Sequence, residues 1–138
     1  MNSDDGAKRR IEVSDGFRYC RVLTDSNGVT HFSDENLSFE LADYAPPAAP
    51  ISVSDIFGAE NLSFISSPPG WVGDWHPAPR RQFVFVLTGV LEVEVSDGEV
   101  RLFESGSVVF VEDTTGKGHV SRVVGSERVT AATVPVVY

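Results

Sequence analysis

Three histidines, His31, His76 and His119, and one cysteine, Cys20, are the chain's whole supply of imidazole and thiol. A neutral imidazole can take up a proton near neutral pH or ligate a metal ion, so the surroundings of each histidine decide what chemistry is on offer. His76 lies in Gly73-Asp-Trp-His-Pro-Ala-Pro-Arg-Arg-Gln82, directly before the most apolar run of the sequence, and His119 closes Glu112-Asp-Thr-Thr-Gly-Lys-Gly-His119 at the start of a later one. His31 follows a turn in a weaker early region and reads as a surface residue. A single cysteine excludes both an intramolecular disulfide and a multi-thiolate metal site, and Cys20 reads as a packing residue.

His76, Gln82 and His119 therefore form the candidate catalytic and metal-ligating set. Two imidazoles and one amide oxygen leave open positions for water or substrate, and imidazole suits Zn, Fe, Mn, Ni and Cu alike. One divalent ion and a metal-free cluster of hydrogen-bonded side chains both remain open. Without a metal, the two histidines would serve as base and acid and Gln82 would orient a ligand. Polar side chains gather around the same segments: Asp74, Arg80 and Arg81 near His76, and Glu112, Asp113, Thr114, Thr115 and Lys117 near His119, with Arg122 beyond. Trp75, Arg80, Phe85, Asp113 and Lys117 are the expected substrate contacts, and the basic residues would draw in an anionic or carbonyl-rich molecule. Glycine-rich phosphate loops, H-E-x-x-H, calcium-loop and G-x-S-x-G patterns are absent from the sequence.

The elements that must position these residues read as strands. Eight prolines and twelve glycines punctuate segments rich in Val, Phe, Ile and Thr, the texture of an all-β protein. Strands are expected at 17–23, 29–32, 37–41, 61–66, 82–87, 90–95, 99–103, 108–111, 119–124 and 129–136. The segment Tyr44-Ala-Pro-Pro-Ala-Ala-Pro50 is expected to be an extended connecting arm, because proline cannot donate to a ladder. Leu91-Glu-Val-Glu-Val95 alternates as a strand with one wet face, whereas Phe83-Val-Phe-Val-Leu87 is apolar on both faces and calls for a second layer or a partner subunit. Inward parity on this run falls to Gln82, Val84 and Val86.

Residues 70–124 resemble the two-motif core of the cupin superfamily, small β-barrels that often hold a metal. In its first motif His76 fits the first histidine, Gln82 stands where a glutamate belongs, and six residues separate Gln82 from Gly89; Ala78 occupies the second histidine position. In its second motif Gly106 opens the pattern and Gly116-Lys-Gly-His119 reproduces G-x-x-H, with two extra residues before Thr114, which stands at the proline position, and Val123 for the terminal asparagine. The resemblance implies a double-stranded β-helix of jelly-roll type, with extra N-terminal strands and the proline-rich arm added. It also implies a barrel that binds a small organic molecule, with chemistry ranging over cyclases, isomerases, lyases and dioxygenases. The missing histidine and carboxylate favour a redox-neutral step, with a metal-dependent dioxygenase or a non-catalytic ligand-binding or sensing cupin as alternatives. A homodimer is the expected assembly.

Composition limits the remaining choices. The 138 residues suit a single domain over 11–138 with a tail at 1–10. A net charge of −9, from 20 acidic against 11 basic residues, repels phosphate backbones and anionic lipid, so neither nucleic acid nor membrane is an expected partner. The lone cysteine and the lack of a leader-like apolar run give a cytoplasmic expectation.

Overall fold

The computed structural model describes residues 16–137, all of whose regular structure is β. The tail expected at 1–10 lies outside the described residues. The described chain divides into two compact units, residues 16–18 with 35–57, and residues 19–34 with 58–137.

Eleven strands form: β1 Phe17–Thr24, β2 Thr30–Leu37, β3 Glu40–Ala42, β4 Ile51–Val53, β5 Ser63–Ser67, β6 Gln82–Thr88, β7 Val90–Val95, β8 Val100–Phe103, β9 Val108–Val111, β10 His119–Val124 and β11 Val129–Pro135. Six of them make one sheet in the order β2-β1-β9-β6-β11-β5, and three make another in the order β10-β7-β8. From β6 onward the chain passes from the large sheet to the small one after Thr88, back after Phe103, across again to β10 and back to β11. Alternating between sheets in this way builds the jelly-roll type of barrel that the sequence led us to expect. Gly89, at φ 75°, makes the first crossing: a Cβ there would stand 2.6 Å from the Arg128 carbonyl oxygen, so the turn is built for glycine.

The sheets bury their facing sides together. Val22 and Val95 are fully buried, with Val86, Val93, Val109 and Val111 packed around them. Burying each such side chain contributes about 1.5–3 kcal/mol. Alternation on β7 is as read: Val93 and Val95 go inward, while Glu92 and Glu94 face outward and both accept from Arg122. The doubly apolar β6 needs no partner subunit to explain it. Val84 and Val86 face the core, and Phe83 packs on the other side against Phe110 and Tyr19, ring centroids 4.4 and 5.8 Å away.

Two details differ from expectation. The stretch 37–41 is not one strand; β2 runs on to Leu37 and β3 starts at Glu40. The proline segment is not a simple connector either, because β3 and β4 pair antiparallel on either side of it, Glu40 opposite Val53, and it forms the loop of that hairpin. Its prolines sit in the turn, where no ladder bond is asked of them.

Candidate active site

Between the sheets of the larger unit lies a cavity of about 180 Å3. Its floor and walls are mostly aliphatic, from Val22, Val84, Leu91, Val93, Val109, Val111, Val129 and Ala131, and Ile65 and Trp71 stand at its exposed end. Polar groups reach it from both sides: His76, His119 and Ser121 with the small sheet, Gln82, Ser67 and Thr133 from the large one.

The two histidines meet because the chain segment before β6 runs along the free edge of β10. His76 and His119 exchange both backbone hydrogen bonds, each 3.0 Å, and further up Gly73 N donates to Ser121 O and Val123 N to Trp71 O. Directly opposed residues in an antiparallel pair hold their side chains on the same face, and the two imidazole centroids are 4.8 Å apart. Gly118, at φ 80°, sets this pairing: a Cβ there would overlap the His76 carbonyl. The second glycine of Gly116-Lys-Gly-His119, at a position the G-x-x-H pattern leaves free, is thus needed here for a physical reason, the close approach of the two histidine-bearing backbones.

Hydrogen bonds fix both tautomers. His119 Nδ1 lies 2.6 Å from Asp113 Oδ2, and His76 Nδ1 lies 2.9 Å from the backbone carbonyl of Asp74. A carbonyl can only accept, and a carboxylate accepts, so each Nδ1 carries the hydrogen and each neutral ring keeps its lone pair on Nε2. His119 is 7% exposed and Asp113 fully buried, whereas His76 is exposed at the mouth. Asp113 Oδ1 is the one buried side-chain polar atom among the described residues with no partner. Leaving a carboxylate oxygen so costs stability, which marks Asp113 as a residue kept for what it does to His119.

The expected site residues divide cleanly by position. His76, Gln82 and His119 line the cavity, with Asp113 behind His119. The other substrate contacts do not. Phe85 faces away, with the aromatic group on the outer side of β6, as its parity opposite to Gln82 and Val84 requires. Trp75 is covered by Lys117, whose Nζ sits 4.2 Å from the ring, and neither lines the cavity; Trp71 does instead. Arg80 bonds Glu60 at 2.9 Å on the surface. The basic mouth is also neutralised: Arg81 and Arg21 both meet Glu112, and Arg122 meets Glu92 and Glu94. Ser121, Ala131 and Thr133 were missed, although alternation from His119 along β10 and from Val129 along β11 points to all three.

The donor set does not make a complete metal site. Among the described residues no group of three or more His, Cys, Asp or Glu side chains comes together, the Asp113 carboxyl is engaged with Nδ1, and Gln82 adds only a neutral oxygen. Two imidazoles and one amide lack the anionic donor that offsets the dehydration of a divalent ion.

No family model and no curated protein matches the sequence. Among solved structures, a Cupin 2 conserved barrel domain protein from Salinispora arenicola is 24% identical, with 72% of this chain and 74% of that one covered at a TM-score of 0.45. A conserved Streptococcus pyogenes protein of unknown function is 21% identical, covering 54% and 61% at 0.46. A recombinant oxalate oxidase in complex with glycolate is 20% identical, covering 53% and 39% at 0.43. The chain thus spans 61% of the streptococcal protein and 39% of the oxidase. These likenesses concern the fold, and no activity is carried over from them.

Proposed function

We propose, from the premise that this chain folds as a cupin-like barrel with an imidazole pair set at its cavity, that it binds a small organic molecule there and moves protons on it without net oxidation. The observation that carries this reading is the buried Asp113–His119 pair, which holds the Nε2 lone pair of a cavity-lining imidazole in reserve as a base. His119 takes a proton from a carbon next to a carbonyl, or from a hydroxyl, while its Nδ1–H stays with Asp113. His76, when protonated, returns a proton at a second position, so the substrate keeps its formula and the two rings exchange protonation states. The same proton removal begins an isomerase or cyclase reaction, which keeps the formula, and a lyase reaction, in which the proton from His76 goes to the leaving group. Aliphatic walls exclude water from the reacting carbon, and Gln82 supplies an amide to orient the carbonyl.

A direct test is deuterium uptake from D2O into ring-sized enolisable ketones such as cyclohexanone and 2-cyclohexenone, followed by NMR. The wild type should accelerate exchange, and His119→Gln should lower the enzymatic rate by about 10²–10⁴. Exchange no faster than in buffer would leave a non-catalytic binding module; a rate unaltered in His119→Gln would remove the base assignment.

One observation favours a second reading. Histidines that ligate metals show the same pattern, Nδ1–H held by an oxygen and Nε2 left open. Under that reading His76, His119 and Gln82 would hold one divalent ion only together with water or ligand oxygens that complete the set these three leave short. Elemental analysis of untagged protein separates the two: stoichiometric metal that disappears in both His76→Ala and His119→Ala supports the ion, and trace metal insensitive to either removes it, together with the metal-dependent dioxygenase alternative.

A further inference from the structure

The cavity carries more information than its histidines. Thr133, on β11 of the large sheet, is 7% exposed, lines the cavity, and its hydroxyl has no hydrogen-bond partner among the described residues. It faces the cavity from the sheet opposite to the one that carries His119. Among the described residues only Asp113 Oδ1 is both fully buried and unpaired, so the Thr133 hydroxyl keeps accessible surface, and at an apolar cavity that surface is open to a ligand atom. The polar groups at the two sides differ in kind. The imidazoles present lone pairs and take a donor, whereas Thr133 can donate. Gln82, which shares the large sheet with Thr133, and Ser67 and Ser121 are the other polar groups of the lining, all neutral; the rest is apolar, and no Asp, Glu, Lys or Arg lines the cavity. An ionised ligand buried there would lose its hydration without a counter-charge.

Size narrows the class. A cavity of 180 Å3 is a little larger than the roughly 150 Å3 at which an engineered apolar cavity takes up benzene. Taking the small-molecule reading above as given, we infer that the ligand is an uncharged, single-ring phenol or enol that also carries a carbonyl, its hydroxyl donating to the Nε2 side of the histidine pair and its carbonyl accepting from Thr133. An ionised carboxylate would find no permanent cation there, only an imidazole that must first take up a proton, which distinguishes this class from the anionic molecule that the basic residues of the sequence suggested.

The test uses four ring-sized probes and the protein's own fluorescence. Trp71 lines the cavity and Trp75 does not, so Trp75→Phe leaves a single reporter at the site. Affinities are read by calorimetry for 4-hydroxybenzaldehyde, benzaldehyde, phenol and 4-hydroxybenzoate. The hydroxyaldehyde should bind about tenfold more tightly than benzaldehyde or phenol, the worth of one buried hydrogen bond, and its carboxylate analogue should bind more weakly than either. Thr133→Val, which nearly keeps the shape, should bring the hydroxyaldehyde down to the level of phenol while leaving phenol unchanged. Equal affinities, tightest binding by 4-hydroxybenzoate, or a silent Thr133→Val would each overturn the ligand class. If all four probes bind alike and shift Trp71 emission, the small-molecule cavity stands and only this inference fails; if none alters Trp71 emission, both fall. Deuterium exchange on ketones reports on proton transfer separately from either result.

Discussion

Asp113 spends stability on orientation. Its carboxyl is fully buried, one oxygen bonds His119 and the other bonds nothing described. His119→Ala would leave both oxygens unpaired and should destabilise the protein by about 3 kcal/mol, whereas adding Asp113→Asn to it should recover a large part of that loss. Urea denaturation of the single and double variants reads this directly; a harmless His119→Ala would mean that the carboxyl is already satisfied elsewhere. His31 is at the surface, as read in the sequence, and there it makes a specific tie. Its two ring nitrogens contact Asp25 at 2.7 Å and Asp97 at 2.8 Å, tying two turns together, and hydrogen bonds to Asp25 and then Asp97 raise its pKa above the ordinary 6.5. Its share of stability is complete below pH 6.5 and is lost as pH rises through the raised value. The hydrogen bond from His31, then those from the Val29 and Asn27 backbone, lower Asp25 below 3.8, so its share is complete above 3.8 and is lost as pH falls through the lowered value. The tie is therefore strongest between those limits. The urea midpoint of the wild type should fall from pH 5.5 to pH 8.5 by more than that of His31→Gln; parallel profiles would show that the tie contributes nothing.

At the level of elements, the site is a seam between an edge segment and β10. Gly118→Ala would force the backbone at φ 80° and collide with the His76 carbonyl, separating the imidazoles. It should cost about 1–3 kcal/mol and abolish deuterium exchange, measured by denaturation and NMR; retained exchange would show that the histidines act singly. Gly73→Ala is a milder probe, because its Cβ would meet the far edge of the Trp71 ring at 2.7 Å. It should change Trp71 emission in a Trp75→Phe background with little loss of stability. The strands and the three cavity residues were legible beforehand, whereas the pairing of residues 71–76 with the edge of β10 was not. Strict alternation and glycine turns gave strands β6 to β11 nearly to the residue, and motif spacing brought His76, Gln82 and His119 to one cavity. Phe85 was misplaced although alternation alone sets it opposite to Gln82. Nothing in the sequence sets Trp71 ahead of Trp75 as a cavity residue, since residues 70–76 follow an irregular edge path with no fixed period. The β3–β4 hairpin was hidden because its strands are three residues long and pair around a loop dominated by proline and alanine.

For the whole molecule, the charge of −9 proves to be organised by pairing. Arg21, Arg80, Arg81, Arg101 and Arg122 each meet a carboxylate, and Lys117 lies over the Trp75 ring outside the cavity lining, so the arginines near the site offer little free positive field. Affinity for a neutral cavity ligand should accordingly change less than about twofold between 50 and 500 mM salt, in calorimetric titrations of 4-hydroxybenzaldehyde. A steep loss with salt would restore the anion-attracting mouth. Among the described residues no helix is long and apolar enough to cross a membrane. The aromatic group of Phe83, Phe110 and Tyr19 accounts within one chain for the second apolar face of β6, so the homodimer remains a proposal to be settled by sedimentation.

The proposed base requires that the two imidazole protons sit on Nδ1. Long-range 1H–15N correlation spectra of the histidine rings, recorded on metal-free protein at a pH where the rings are neutral, read this directly. The structure requires protonated Nδ1 and bare Nε2 on both His76 and His119, and Asp113→Ala should release His119 to a mixture of tautomers. A hydrogen on His119 Nε2 in the wild type would contradict the proposed base and, with it, the proton-transfer reading of the site.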